Sequence, residues 1–75
     1  MRKLSLKESR FLAGLTQVEM AEKLGVSEST YIKYEQYKQF MRMDIAFKFS
    51  QITKRSLDEI IFLPDNYILN VVTTK

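Results

Sequence analysis

Two residue types central to enzyme chemistry are missing from this 75-residue chain, which has no cysteine and no histidine. Without cysteine there is neither a disulfide nor a thiolate metal site to staple a small fold. Without histidine the commonest general base and the commonest metal ligand are both gone. Only carboxylates remain as metal ligands, and they are scattered among lysines, as on a solvated surface. Neither an enzyme nor a metal, cofactor or small-molecule site is expected. No apolar run approaches the roughly 18 residues of a membrane span. Met1-Arg2-Lys3-Leu4 is too short and mixed for a signal peptide. The expectation is a cytoplasmic protein with no membrane partner. Internal repeats, low-complexity tracts and interdomain linkers are absent as well.

Glycine occurs twice and proline once. Gly14, Gly25 and Pro64 each fall where a helical pattern stops. A single domain of this size has a small core, so its stability is marginal without good packing or a partner. The formal net charge of +3 permits nucleic-acid binding without requiring it, because distribution matters more than the total.

The rest of the chain is organised around Leu15 to Glu35, LTQVEMAEKLGVSESTYIKYE. Thr16 followed by Glu19 makes a capping box, which predicts a helix from Gln17 to Leu24. Val18, Met20, Ala21 and Leu24 recur at helical spacing and give that helix a buried face. Gly25 follows the last apolar position, where a helix ends by turning left-handed. Ser27 is the next N-cap, and Tyr31 and Tyr34 share one side of a helix over Glu28 to about Glu35. Two such short helices joined by so tight a turn cross steeply. That is the helix-turn-helix arrangement, which presents its second helix to the major groove. An ordinary helical hairpin fits the spacing too, and residue identity decides between them.

Those identities are Leu15-Thr16-Gln17, Glu19, Ala21, Leu24-Gly25-Val26-Ser27, Ser29-Thr30 and Glu35, continued by Ile45-Ala46, Phe49 and Ser56-Leu57-Asp58-Glu59-Ile60. In them the chain resembles the Cro/C1-type (XRE-like) helix-turn-helix family of phage repressors and small bacterial transcriptional regulators, over about residues 4 to 62. The resemblance implies an all-α, lambda-repressor-like DNA-binding domain of five short helices over residues 1–64. It implies a sequence-specific regulator, of the phage or mobile-element repressor type, acting as a homodimer on duplex DNA. The two half-sites should lie roughly 10 bp apart. A protein-interaction module or antirepressor on the same scaffold, without strong DNA binding, is the alternative, because fold does not dictate function.

Residue by residue, the outer face of the third helix carries Glu28, Ser29, Ile32 and Lys33, where the family reads bases. Lys33 can donate to guanine, Glu28 can accept from cytosine, and Ile32 can meet a thymine methyl. Gln17, Ser27, Gln36, Lys38 and Arg42 match positions that contact phosphates. Arg10 and Glu35 match a partly buried structural ion pair. The chain departs from the family where Tyr37 stands in place of glycine and Met41 in place of a frequent proline. Tyrosine is disfavoured at positive φ, so the third helix is expected to run on a turn or to close without a left-handed cap. Tyr37, Phe40 and Met41 are then either core residues or a patch for a partner.

Outside the motif, LSLKESRFLA over 4–13 reads as the first helix, with Ser5 and Glu8 as a capping box; the family would start it slightly earlier. Residues 43–52 read as the fourth, with Met43, Ala46, Phe47 or Phe49, and Ile52 available to the core. Ser56 and Glu59 announce a fifth, with Leu57, Ile60 and Ile61 inward, that Pro64 stops. The tail, residues 65–75, is rich in strand formers. It reads as a C-terminal strand or arm that makes a homodimer, as a segment folded on its own core, or as a disordered end.

Overall fold

Each of the first three helices starts where a side-chain oxygen can accept from its first turn. In a computed structural model, which describes residues 3–63, α1 spans Leu6–Leu12, α2 Gln17–Leu24, α3 Glu28–Glu35 and α4 Met43–Thr53. Ser5 Oγ accepts from the Glu8 amide at 3.1 Å while Glu8 accepts from the Ser5 amide at 2.9 Å. Thr16 and Glu19 repeat the exchange at 3.1 and 2.8 Å. Ser27 Oγ accepts from the Thr30 amide at 3.2 Å. Reciprocal bonds of this kind satisfy donors that a helix N-terminus leaves unpaired. The capping box also corrects the start of the first helix: Leu4 and Ser5 precede it.

The helices end alike. After α2, Gly25 turns left-handed at φ 77° and Val26 N–H donates back to Ala21 O at 3.0 Å. Left-handed backbone costs an L-residue about 1–2 kcal/mol, which glycine avoids. After α3, Tyr37 adopts the same conformation at φ 58°, and after α4 so does Lys54 at φ 59°. The expectation that tyrosine would prolong α3 or close it without a left-handed residue is therefore overturned. Lys38 N–H donates to Lys33 O at 2.9 Å and Tyr37 N–H to Tyr34 O at 3.0 Å, the paired bonds of a Schellman closure. The tyrosine hydroxyl donates to Ile61 O at 2.6 Å and accepts from Leu6 N–H at 3.2 Å, while its ring packs against the core.

The expected fifth helix is a single 3-10 turn, Leu57–Glu59, so the described fold is an all-α bundle of four helices. Ile60 leaves that turn in extended conformation and pairs with Leu4 in an isolated parallel bridge. Leu4 N–H donates to Glu59 O at 2.9 Å, and Ile61 N–H donates to Leu4 O at 2.7 Å. Backbone groups that a longer helix would use internally are thus taken by the N-terminal segment. No strand longer than this bridge occurs among the described residues; the C-terminal strand or arm expected in 65–75 lies outside them.

Leu6, Met20, Ala21, Leu24, Tyr31, Tyr34, Phe49 and Ile60 form one buried cluster, with Tyr37, Met41, Ile45 and Ile52 packed against it. Tyr31 and Tyr34 meet edge to face, ring centroids 6.4 Å apart, a favourable geometry for aromatic pairs. Phe49, not Phe47, is the buried aromatic of α4. Val18 and Met43, both expected inside, are exposed: each has core spacing on its helix, but no element among the described residues covers it. Tyr37, Phe40 and Met41 are half-buried, so the loop after α3 is packed inward for the most part.

Candidate nucleic-acid interface

The last residue of α3, Glu35, ties three helices together. It accepts from Arg10 Nε at 2.5 Å, from Gln17 Nε2 at 3.0 Å and from the Tyr31 hydroxyl at 2.6 Å. Arg10 also donates through Nη1 to Leu15 O at 2.9 Å. The Arg10 and Glu35 side chains are 11% and 5% exposed. Burial alone would push the Glu35 carboxyl up, but the hydrogen bonds from Arg10, Tyr31 and Gln17 outweigh it and hold the group below its ordinary 4.5. The same hydrogen bond raises Arg10. Burial first, and the bond to Glu35 second, push the Tyr31 phenol well above 10.0. α1, α2 and α3 are thereby fixed around one carboxylate.

This arrangement determines which residues α3 offers to solvent. With Tyr31 and Tyr34 inside, Glu28, Ser29 and Lys33 are exposed, whereas Ile32 is half-buried. The first three stand on a common outer face with only the edge of Ile32 beside them. Beyond α3, Gln36 and Lys38 flank the left-handed Tyr37 and are exposed. Arg42, the N-cap residue of α4, is also exposed and bonds Asp44 at 3.0 Å. That hydrogen bond holds the Asp44 carboxyl below its usual range. Ser27 spends its hydroxyl as the α3 cap and on Thr30 Oγ1, at 2.9 Å.

Gln17 is the residue whose placement differs most from the simple expectation of a surface contact. It is half-buried, with its amide nitrogen on Glu35. An amide NH₂ carries two hydrogens, so one remains for a second acceptor.

A family model described as helix-turn-helix matches residues 6–60. An uncharacterized HTH-type transcriptional regulator of Methanocaldococcus jannaschii is 36% identical over 64 residues, covering 85% of this chain and 97% of that protein. The chain belongs to the Cro/C1-type (XRE-like) helix-turn-helix family. No solved structure matches it.

Helix-turn-helix domains of this family are non-catalytic regulatory modules. Among the described residues no cluster of three or more acidic, histidine or cysteine side chains could hold a metal. None of the described helices is long and apolar enough to cross a membrane. Within the helix-turn-helix domain, sequence reasoning missed what two tyrosine hydroxyls do, those of Tyr31 and Tyr37. Tyr31 and Glu35 are four apart on one helix, the spacing at which side chains meet, so their bond was findable. The Tyr37 latch was signalled only by the family's glycine being absent.

Proposed function

We propose that this chain is a sequence-specific, duplex-DNA-binding transcriptional regulator of the cytoplasm, a repressor of the phage or mobile-element type that occupies its operator without a cofactor. The observation that carries this reading is the outer face of α3. Ser29, Lys33 and Glu28 are exposed there while the helix is locked to its neighbours through Glu35. A rigid helix with a donor, an acceptor and a hydroxyl on one face suits base-edge recognition in the major groove. Lys33 reads guanine, Glu28 meets cytosine, and Ile32 offers only its exposed edge to a thymine methyl. Lys38 and Arg42 supply phosphate contacts, with Gln36, the Ser27 main chain and the second amide hydrogen of Gln17 adding neutral ones.

The operator is two-fold and the protein binds as a homodimer, with residues 65–75 as the arm that joins the copies. Truncation after Leu63 should yield a monomer; an intact dimer would remove that role from the tail. Binding-site selection from a random duplex library, repeated with Lys33→Ala, tests the whole reading. The expected result is a symmetric consensus that relaxes at one position per half-site in the variant. No enrichment at low salt would refute DNA recognition.

One observation favours a second reading. Phe11 and Leu12, adjacent on α1, are 75% and 60% exposed, and apolar surface of that kind suits a protein partner. An antirepressor would use it while binding DNA weakly. A salt titration on arbitrary duplex separates the two, because DNA affinity falls steeply with salt.

A further inference from the structure

Tyr37 stands where backbone φ is positive, 58°, in a conformation that a side chain with a Cβ rarely adopts. Its neighbours in the chain, Gln36 and Lys38, are exposed. The side chain itself runs the other way and packs against the core. At its tip, the hydroxyl donates to Ile61 O at 2.6 Å and accepts from Leu6 N–H at 3.2 Å. A phenol has one hydrogen to give and lone pairs to receive, and both capacities are used here by backbone groups remote in sequence.

Neither anchor is loose. Leu6 opens α1, where amides lack partners inside the helix. Ile61 is held by its own N–H, which donates to Leu4 O at 2.7 Å. The tip of the side chain is therefore fixed at two points, while its Cα must follow α3 after a single residue. The backbone meets both demands by turning left-handed. That turn delivers Lys38 N–H back onto Lys33 O at 2.9 Å and Gln39 N–H onto the same carbonyl at 3.4 Å. The direction in which the Lys38 side chain leaves the surface is a consequence. Burial raises the phenol above its ordinary value, so the hydroxyl keeps its proton throughout the neutral range.

We propose that Tyr37 is a positioning residue for DNA binding: its hydroxyl, latched between Leu6 and Ile61, imposes the left-handed turn that aims Lys38 at the phosphate backbone. The latch replaces, by tertiary contact, what glycine would do by local preference. It rests on the DNA-binding reading for its purpose, though not for its geometry.

Two variants separate the latch from the turn. Tyr37→Phe keeps the ring and removes both hydroxyl bonds. Tyr37→Gly removes the side chain altogether but adopts the left-handed turn without strain. Two quantities are read on the full-length chain, at a temperature where circular dichroism shows each variant folded. They are hydrogen exchange at the Lys38 amide and the slope of log K against log salt for a random-sequence duplex. Tyr37→Phe should lose at least tenfold of the Lys38 amide protection, and its salt slope should shrink by about one per protomer. Tyr37→Gly should hold both quantities near the parent values while its thermal midpoint falls.

Parental slope and exchange in Tyr37→Phe would overturn the proposal. So would loss of both in Tyr37→Gly, because a left-handed turn would then not be what places Lys38. If Tyr37→Phe does not fold, the glycine variant decides the matter by the same criterion. Should the parent bind no duplex at low salt, the DNA reading fails on its own, and the exchange measurement still tests the latch.

Discussion

Arg10→Met removes the cation from the Glu35 hub while keeping a side chain of similar length. In the parent, three donors converge on a carboxylate that is 5% exposed, and the guanidinium is the only cation among them. Stranding one member of such a buried pair costs roughly 3–5 kcal/mol. The whole stability of a 75-residue chain is only about 4–11 kcal/mol. The thermal midpoint should therefore fall by roughly 10–40 °C, leaving the variant barely folded at neutral pH. The loss should also depend on pH with a definite sign. Glu35 is depressed below 4.5 in the folded parent. Its contribution is thus present above the unfolded value near 4.5 and is lost as pH falls through the folded value. In Arg10→Met that depression goes, because burial opposes the charge and its main counterweight is absent. The gap between parent and variant should be widest at pH 7 and should narrow steadily toward pH 2. Urea denaturation followed by far-ultraviolet circular dichroism at several pH values measures it. A difference under 1 kcal/mol at pH 7, or one that does not change with pH, would refute the buried-charge account.

Tyr31→Phe removes the 2.6 Å bond to Glu35 and should destabilise by about 1.5–3 kcal/mol, the range for a hydrogen bond to a charged group. Because the folded Tyr31 phenol lies well above 10.0, the parent loses stability as pH rises past 10, where the unfolded chain ionises first; the variant should show a flatter alkaline limb in the same urea assay. Ala21→Leu inserts bulk into the buried face of α2, which packs chiefly on α3. It should cost about 1–3 kcal/mol and weaken specific DNA binding beyond the loss of folded protein, measured by calorimetry and by gel shift at a temperature where both proteins are folded.

Much of this fold was legible because its signals are local. The Thr16–Glu19 box, Gly25 and Ser27 place the ends of α2 and α3 where the structure has them. The failures share a different origin. Ser56 and Glu59 make the same kind of box, yet only a 3-10 turn follows, because Leu4, more than fifty residues earlier, takes the backbone partners of Glu59 and Ile61. Val18 and Met43 have the right period but no element among the described residues over them; periodicity names a face without naming its cover. Tyr37 reverses its own propensity for the sake of two distant backbone groups. On the candidate interface, spacing identified the residues on the outer face of α3. It did not show that Ile32 would sink to half-burial or that Gln17 would turn an amide hydrogen inward.

The charges left over after folding bear on how many copies act together. Arg10 is consumed inside the Glu35 hub, whereas Arg42 shares Asp44 in an exposed pair that is worth little and is readily exchanged for a phosphate. Lys33, Lys38 and Arg42 are then the cations of the proposed DNA face, all three exposed. With Lys33 on a base, the two phosphates neutralised by Lys38 and Arg42 give a slope of about −1.8 in log K against log salt. A single copy would therefore lose affinity by only about 12-fold over a fourfold rise in salt. Two copies on one operator double the slope and raise the loss to roughly 150-fold. A net charge of +3 per chain is thus enough for a regulator if two chains bind together, and thin for one that binds alone. Fluorescence anisotropy on a selected operator, between 50 and 200 mM salt, should return the steeper slope. The shallower slope on a symmetric site would mean that each half-site is bound independently, and the two-fold homodimer would have to be given up.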